Sequence, residues 1–283
     1  NTCGTSGDLV FTATIADPAG VATGGLAPRV YYRKNAGAFT LANSATGVLT
    51  SGTVLNGVWT FTVSASALGG LVAGNTVSYF VIAQDVNNFV GSNTQAGMTA
   101  ASVNSVSIYP TNPTTYTVGL GGTYSVGTAG NYTTITSAVA AYNGASCLAG
   151  PVVFELISPT YASESFPITI NNHTWANATN TLTIRPAAGV AATVTGTPFS
   201  VSMFRLFNAR YVTLDGVNSG GRSLTLNNTY TTTSANIILS SSGYGSGCRN
   251  IALKNMSMNG GSNTSSGVYG IMALGNTTTP SFS

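Results

Sequence analysis

Apolar and polar residues alternate in short runs along the first hundred residues, which is the pattern of half-buried β-strands. Residues 11–15 and 59–63 alternate between apolar side chains and threonine. In residues 77–82, the side chains expected on each of the two faces of a strand are largely apolar, which predicts a strand covered on both faces. Turn-forming sequences such as 17–20 (Asp-Pro-Ala-Gly) separate the runs. Several short strands at this spacing predict a β-sandwich over residues 1–109.

One of these runs resembles a known kind of module. Residues 71–85 read LVAGNTVSYFVIAQD, with a leucine, a glycine turn and an aromatic alternation into Ala-x-Asp. This stretch resembles the E–F corner and F strand of fibronectin type III and related Ig-like modules. The resemblance implies that the predicted sandwich is Ig- or fibronectin-like.

Residues 110–123 are rich first in proline and then in glycine, and we expect them to form a linker. After the linker, residues 132–142 carry apolar side chains at helical spacing, with Thr134 or Thr136 as the N-cap. A short amphipathic helix before a long β-rich stretch predicts a cap on the first coil of a β-solenoid.

Three strand patterns then recur in the same order. They are Met203–Asn208, Asn236–Ser241 and Gly270–Gly275; Tyr211–Gly216 and Asn250–Asn255; Leu224–Asn228 and Met256–Gly260. Earlier candidate strands are 152–157 and 182–186. Three strands per repeat predict a parallel β-helix over residues 124–283, continuing beyond the last residue. An antiparallel sandwich is the alternative, since it also produces alternation.

Residues 134–142, 154–157 and 204–216 are similar to right-handed β-helix modules of large secreted surface proteins of Bacteroidetes. Ig-like modules accompany such helices in those proteins. The resemblance therefore implies an all-β chain at the cell surface. It implies no particular chemistry, because adhesins, envelope proteins and polysaccharide-active enzymes share this architecture.

Charge is scarce throughout the chain. Charged residues make up 5% of the 283 residues, against about 25% in an ordinary soluble domain. A hydrophobic content of 43% excludes a disordered tail. A net charge of +3 provides no basic stripe for nucleic acid. No apolar run reaches the roughly 18 residues of a membrane-spanning helix, so neither nucleic acid nor a membrane span is expected.

The residues that usually carry catalysis are few and dispersed. Glycoside hydrolysis needs two converging carboxylates, and the only ones after the predicted linker are Glu155, Glu164 and Asp215, on different coils or loops. We therefore expect no enzyme, no cofactor and no metal site. The lone His173 is expected in a surface or loop role. A calcium site at Asp17, Asp85, Asn87 and Asn88 is the alternative to ordinary turn chemistry there.

Glycans are the candidate ligands. Trp175 offers a ring for sugar stacking, and Arg205, Arg210 and Arg222 offer positive charge to an acidic glycan. Core shielding by Trp175 and simple solvation of the arginines remain the alternatives.

Three cysteines leave at least one thiol unpaired within the chain. Cys3 is expected to pair with a residue outside the chain. Cys147 and Cys248 are expected to lie too many coils apart to bond to each other, and buried apolar thiols are the alternative for both.

These observations predict an extracellular structural or adhesive module that contacts other copies of itself or neighbouring modules, and that forms a fibre. The alternatives are a polysaccharide-binding or polysaccharide-cleaving β-helix, and a phage tail-fibre spike.

Overall fold

The structure is a computed structural model that describes residues 2–4, 7–94, 96–199, 201–218, 221–260 and 267–275. Strands account for 52% of the residues and helices for 8%. The chain divides into two compact units, Asn1–Gly119 and Leu120–Ser283. We call them the N-terminal unit and the solenoid unit.

The N-terminal unit is built from short strands joined by turns. Its strands are β1 (Thr2–Gly4), β2 (Leu9–Ala16), β3 (Arg29–Lys34), β4 (Ser44–Thr46), β5 (Val48–Gly52), β6 (Asn56–Val63), β7 (Thr76–Gln84), β8 (Val90–Ser92), β9 (Thr99–Ser102), β10 (Ser105–Ile108) and β11 (Thr114–Val118). Short 3₁₀ turns cover Gly24–Leu26, Leu41–Asn43 and Ala65–Leu68.

These strands form two main sheets. The large sheet has the order β1-β11-β7-β3-β4, with β8 also paired to β7, and the small sheet has the order β2-β6-β5. Strands β9 and β10 form a separate hairpin. Trp59 and Phe61 of the small sheet are buried in one hydrophobic cluster with Val77 and Val81 of the large sheet. The two sheets therefore share a core, as the alternation over 59–63 predicts.

Strand β7 is buried on both faces, which confirms the prediction for residues 77–82. Val77 and Val81 enter the shared core, whereas Phe80 enters a second cluster with Tyr31 and Val103. Tyr31 and Phe80 stack with ring centroids 5.2 Å apart. The second cluster explains why this strand is apolar at successive positions.

The stretch expected to be a linker contains two strands. β11 pairs with β7 in the large sheet, and residues 120–126 form a parallel strand of the solenoid unit. The two units divide between Gly119 and Leu120. The glycines serve the strand instead: a β-carbon on Gly121 would press against the backbone of Ala149 and Gly150, and Gly122 has a left-handed φ of +95°.

The solenoid unit holds one helix, α1 (Ile135–Gly144), and fifteen strands among its described residues. The strands are β12 (Leu120–Val126), β13 (Leu148–Leu156), β14 (Thr160–Tyr161), β15 (Ile168–Asn171), β16 (Leu182–Pro186), β17 (Ala192–Gly196), β18 (Ser202–Phe207), β19 (Arg210–Asp215), β20 (Val217–Asn218), β21 (Gly221–Arg222), β22 (Leu224–Asn228), β23 (Ser234–Ser240), β24 (Arg249–Lys254), β25 (Met256–Asn259) and β26 (Val268–Leu274).

Three parallel sheets wind these strands into a β-solenoid of about four turns. Sheet I has the order β12-β13-β16-β19-β24, sheet II β14-β17-β22-β25 and sheet III β15-β18-β23-β26. Each coil takes one strand from each sheet: β13, β14 and β15 make coil 1; β16, β17 and β18 coil 2; β19, β22 and β23 coil 3; β24, β25 and β26 coil 4. The hairpin β20–β21 is inserted within coil 3.

The predicted repeats have the observed register. Phe204 pairs with Ile237 and Ile237 with Ile271 in sheet III. Val212 pairs with Ile251 in sheet I, and Leu224 with Met256 in sheet II. The parallel pairing rules out the antiparallel alternative for this region. Like positions therefore stack, and one continuous core runs up the solenoid.

Helix α1 is fixed at both ends by side chains. Thr134 is its N-cap, in a reciprocal capping box with Ser137. At its far end, Asn143 Nδ2 donates to the carbonyl of Thr169 (2.7 Å), and Asn143 Oδ1 accepts from the N–H of Asn171 (3.0 Å). Asn143 thus bonds strand β15 as a neighbouring strand would.

Several asparagines take the left-handed conformation at strand ends of the solenoid unit, as do Tyr211 and glycines such as Gly189 and Gly245. Asn208, Asn250 and Asn255 have φ near +52 to +56°, a region that asparagine tolerates better than most residues. Gly216 has no such φ. It is required for another reason, because a β-carbon there would collide with the backbone of Asn255 on the next coil.

Candidate interaction surfaces

The three carboxylates of the solenoid unit each hold a separate structural contact. Glu155 pairs with Arg185 across neighbouring strands of sheet I, with 2.8 Å between Oε1 and Nη2. Asp215 Oδ2 lies 3.1 Å from Lys254 Nζ, again across paired strands.

Glu164 occupies a different place, at the N-terminus of α1. Its carboxylate accepts hydrogen bonds from the N–H groups of Ile135 (2.8 Å) and Thr136 (2.7 Å) and from the Thr136 hydroxyl (2.6 Å). Negative charge at this position stabilises the helix. All three carboxylates therefore have local structural functions.

The residues proposed for glycan contact are spread over separate elements. Trp175, 42% exposed, lies in the loop between β15 and β16. Arg205 lies on β18, where its Nε donates to Ser240 (3.0 Å) and its guanidinium stacks 4.6 Å from the Phe207 ring. Arg210 begins β19, and Arg222 is exposed on the β20–β21 hairpin.

No hydrogen bond or ring contact between these four side chains occurs among the described residues. The guanidinium of Arg205 is committed to its neighbours, and the buried Nε of Arg210 has no hydrogen-bond partner in the part of the chain that the structure describes. The structure therefore places these four residues on separate loops and strands, and their contact with a glycan stays a prediction.

His173 lies in a loop as predicted, but it is buried and not at the surface. Its Nδ1 accepts from the backbone N–H of Trp175 (3.2 Å), so Nε2 carries the proton and donates to the carbonyl of Ala145 (2.9 Å). The imidazole also packs against Tyr142, with 5.3 Å between ring centroids. The histidine holds the 171–181 loop against the end of α1.

The residues considered for calcium are used in turns. Asp85 Oδ1 accepts from the N–H groups of Asn87 (2.9 Å) and Phe89 (2.7 Å), and Asp17 Oδ1 accepts from that of Ala19 (2.8 Å). Within the described ranges, no group of three or more His, Cys, Asp or Glu residues is arranged to hold a metal ion. Turn chemistry accounts for these side chains.

Cysteine pairing differs in part from expectation. Cys3 and Cys147 are disulfide-bonded, and Cys248 is a free thiol. The prediction that Cys147 and Cys248 do not bond to each other is confirmed. Burial raises the pKa of the Cys248 thiol, and its Sγ donates to the carbonyl of Leu206 (3.2 Å). A thiol held protonated in this way is a poor nucleophile.

Strand β2 is an open edge of the small sheet. Among the described residues it pairs only with β6, in an unbroken antiparallel register from Leu9–Val63 to Ala16–Asn56. Its sequence, LVFTATIA, contains no charge, proline or glycine. Half of the backbone N–H and C=O groups of such an edge strand point away from its neighbour and are available for pairing.

The other sheet edges of this unit are protected by ordinary means. Strands β1, β4 and β8 have three residues each. Strand β5 is interrupted by an irregularity between Leu49 and Ser51, and bulges of this kind discourage edge pairing. The β2 edge is therefore the long, regular and uncharged one.

A groove adjoins the β2 edge. It has a volume of about 310 Å³ and lies between residues 13–17 and residues of β7, β8 and the loop joining them. Ile15, Val21, Val81 and Phe89 contribute apolar surface. Phe89 is 76% exposed, so the groove presents an apolar wall next to the open edge.

No helix among the described residues is long and apolar enough to cross a membrane. Comparisons with protein-family models, curated proteins and solved structures found no match to this chain.

Proposed function

We propose that this chain is an extracellular structural or adhesive module that associates with further copies of itself into a fibre. In this proposal, an Ig- or fibronectin-like sandwich precedes a right-handed β-helix whose first coil is capped by α1, within a larger surface protein of the Bacteroidetes type. The sequence resemblances and the parallel solenoid support this architecture.

The observation that carries the proposal is the β2 edge. An eight-residue strand that is regular, uncharged and open on one side favours pairing with another strand. Two β2 strands in antiparallel register bring no charges together, and their pairing would join the small sheets of two copies into one. This pairing is symmetric and closes at a dimer, so growth into a fibre requires a second interface. The apolar groove beside β2 provides additional surface to bury.

Two further features favour an extracellular location and a passive surface. Disulfides such as those of Cys3 and Cys147 persist in oxidising compartments. A surface with few charges loses little charge solvation when it packs against another molecule. The structural use of Glu155, Glu164 and Asp215 supports the proposal that the module is not an enzyme.

The test is a single charge on the β2 edge. Thr12 is an exposed residue near the middle of β2. In an antiparallel β2–β2 pair, Thr12→Lys brings two like charges close together, and we expect self-association to weaken at least about tenfold. Light scattering across a concentration series and electron microscopy measure this effect.

Thr62→Lys is the matched control. Thr62 is also exposed, and it lies on β6, where it pairs with Val10 of β2. Strand β2 therefore lies between Thr62 and the open edge. The Thr62→Lys variant should assemble as the wild type does. Equal assembly of all three proteins would exclude the β2 edge as the interface. A wild-type chain that stays monomeric at high concentration would refute the proposal of self-assembly.

A further inference from the structure

A small positively charged recess lies on the N-terminal unit, away from the residues considered for glycan contact. It has a volume of about 260 Å³ and is lined by Arg33, Lys34, Gly37, Ala38, Asn43, Ala67 and Leu68. Two consecutive cations of β3 contribute to the same recess. The described part of this unit has only one other cation, Arg29.

Neither cation has an acidic partner among the described residues. The ion pairs found there are Glu155–Arg185 and Asp215–Lys254, both in the solenoid unit. Lys34 Nζ donates to the carbonyls of Gly70 (3.1 Å) and Gly69 (3.4 Å). These neutral acceptors hold the ammonium in place and leave its charge uncompensated.

Arg33 is likewise held in place without being neutralised. Its guanidinium lies 4.7 Å from the centre of the Phe39 ring and makes a long contact of 3.5 Å to the carbonyl of Gly37. Its Nε is buried with no partner in the described structure. The buried Nε is not accessible to a ligand, but the terminal Nη groups of a positioned guanidinium still have the fork geometry that fits a carboxylate.

The walls of the recess favour a sugar over a peptide side chain. Gly37, Ala38 and Ala67 leave room beside the two cations. The carbonyls of Gly37 and Ala38 each accept one hydrogen bond from a protein side chain. Each carbonyl oxygen has a second lone pair that a hydroxyl can use. The volume is below the roughly 300–1,000 Å³ of pockets that enclose a drug-sized ligand, so the recess fits one residue of a longer polymer.

We propose that this recess binds a uronate residue of an acidic polysaccharide, whose carboxylate is attracted by the uncompensated charges of Arg33 and Lys34. This site is distinct from the β2 edge and does not depend on self-assembly. It would give the module a means of attaching to an acidic glycan through the N-terminal unit.

Calorimetric titration of the full chain with oligogalacturonate tests the assignment. We expect binding that weakens with added salt, and no binding of a neutral galactose oligomer of equal length. Lys34→Gln should weaken binding about tenfold. Arg33→Lys keeps the positive charge but loses the forked guanidinium, so it should weaken binding less than Lys34→Gln does. The circular dichroism spectrum of the Arg33→Lys variant should be unchanged.

Arg29→Gln is the control on the same strand. Arg29 bonds Asn104 and Ser44 and does not line the recess, so its loss should leave binding intact. Equal binding of polyglutamate or of a sulfated oligosaccharide would overturn the assignment to a uronate. Binding that survives Lys34→Gln but is lost in Arg205→Gln would move the site to the solenoid, and a lack of binding would refute the proposal.

Discussion

The first and last described coils of the solenoid differ in what lies against their outer side. Helix α1 buries Ile135, Val139 and Tyr142 in the same core cluster as coil 1, and Asn143 bonds the edge of β15. In coil 4, strands β24, β25 and β26 each pair on one side among the described residues. Inward-facing positions that are fully buried one coil earlier are partly exposed there.

Sheet III shows the difference most directly. Ile237 and Ile271 occupy paired positions on adjacent coils, yet Ile237 is 0% exposed and Ile271 is 50% exposed. An isoleucine at this position of sheet III is therefore fully buried only where a further coil packs against it. Stability in a solenoid is close to a sum of such nearest-neighbour terms, so the effect of a mutation should depend on the coil in which it lies.

The largest expected effect separates these two isoleucines. Ile237→Ala should lower the free energy of unfolding by about 2–5 kcal/mol, because it leaves a cavity with neighbours on both sides. Ile271→Ala should cost less than about 1 kcal/mol, because half of the side chain is already in solvent. Denaturant unfolding measures both values. Equal losses would show that coil 4 is covered as closely as coil 3.

A smaller effect is expected at the first coil. Asn143→Ala removes the two hydrogen bonds to the carbonyl of Thr169 and the N–H of Asn171, at a cost of about 1–3 kcal/mol for the pair. Asn143→Asp keeps the acceptor and loses the donor, so its cost should be intermediate. Hydrogen exchange at Asn171 should increase in the alanine variant and change little in the aspartate variant. If neither variant affects this exchange, α1 does not protect the edge of β15.

The register of coils 2 to 4 was predictable because inward-facing positions repeat. Phe204, Ile237 and Ile271 fall 33 and 34 residues apart, and each is apolar because the same stack demands it. Val152, Leu182 and Val212 pair in sheet I with an even 30-residue step. The same 30-residue step leads back from Val152 to its partner Gly122. This spacing could have been read from the sequence as further evidence for a solenoid.

Other features depend on contacts that no local pattern encodes. The 120–126 strand is rich in glycine and resembles a linker until its partner β13 is known. His173 is polar and lies between turns, yet the carbonyl of Ala145 and the ring of Tyr142 bury it. Strand β2 has the same alternation as β6, and only the sheet order distinguishes an edge from a centre. The recess at Arg33 depends in the same way on residues 67–70 returning to β3.

The smallest expected effects distinguish two buried tyrosines near the covered end. Tyr161 donates to the carbonyl of Val126 (2.6 Å) and accepts from the N–H of Ser158 (3.1 Å). Tyr161→Phe should therefore cost about 1–2 kcal/mol. The Tyr142 hydroxyl has no hydrogen-bond partner among the described residues, so Tyr142→Phe should leave stability unchanged or raise it by up to about 1 kcal/mol.

Alkaline pH tests the same environment from the other direction. Burial raises the pKa of Tyr142 from its ordinary value of 10.0 to about 12. Between these values the unfolded chain loses the proton first, so the native state binds more protons and its stability falls as pH rises from about 10 to 12. Tyr142→Phe should make that fall shallower than in the wild type, while the part due to Tyr116, whose pKa is also raised by burial to about 12, persists. An identical alkaline profile in both proteins would mean that water reaches the Tyr142 hydroxyl in the folded protein.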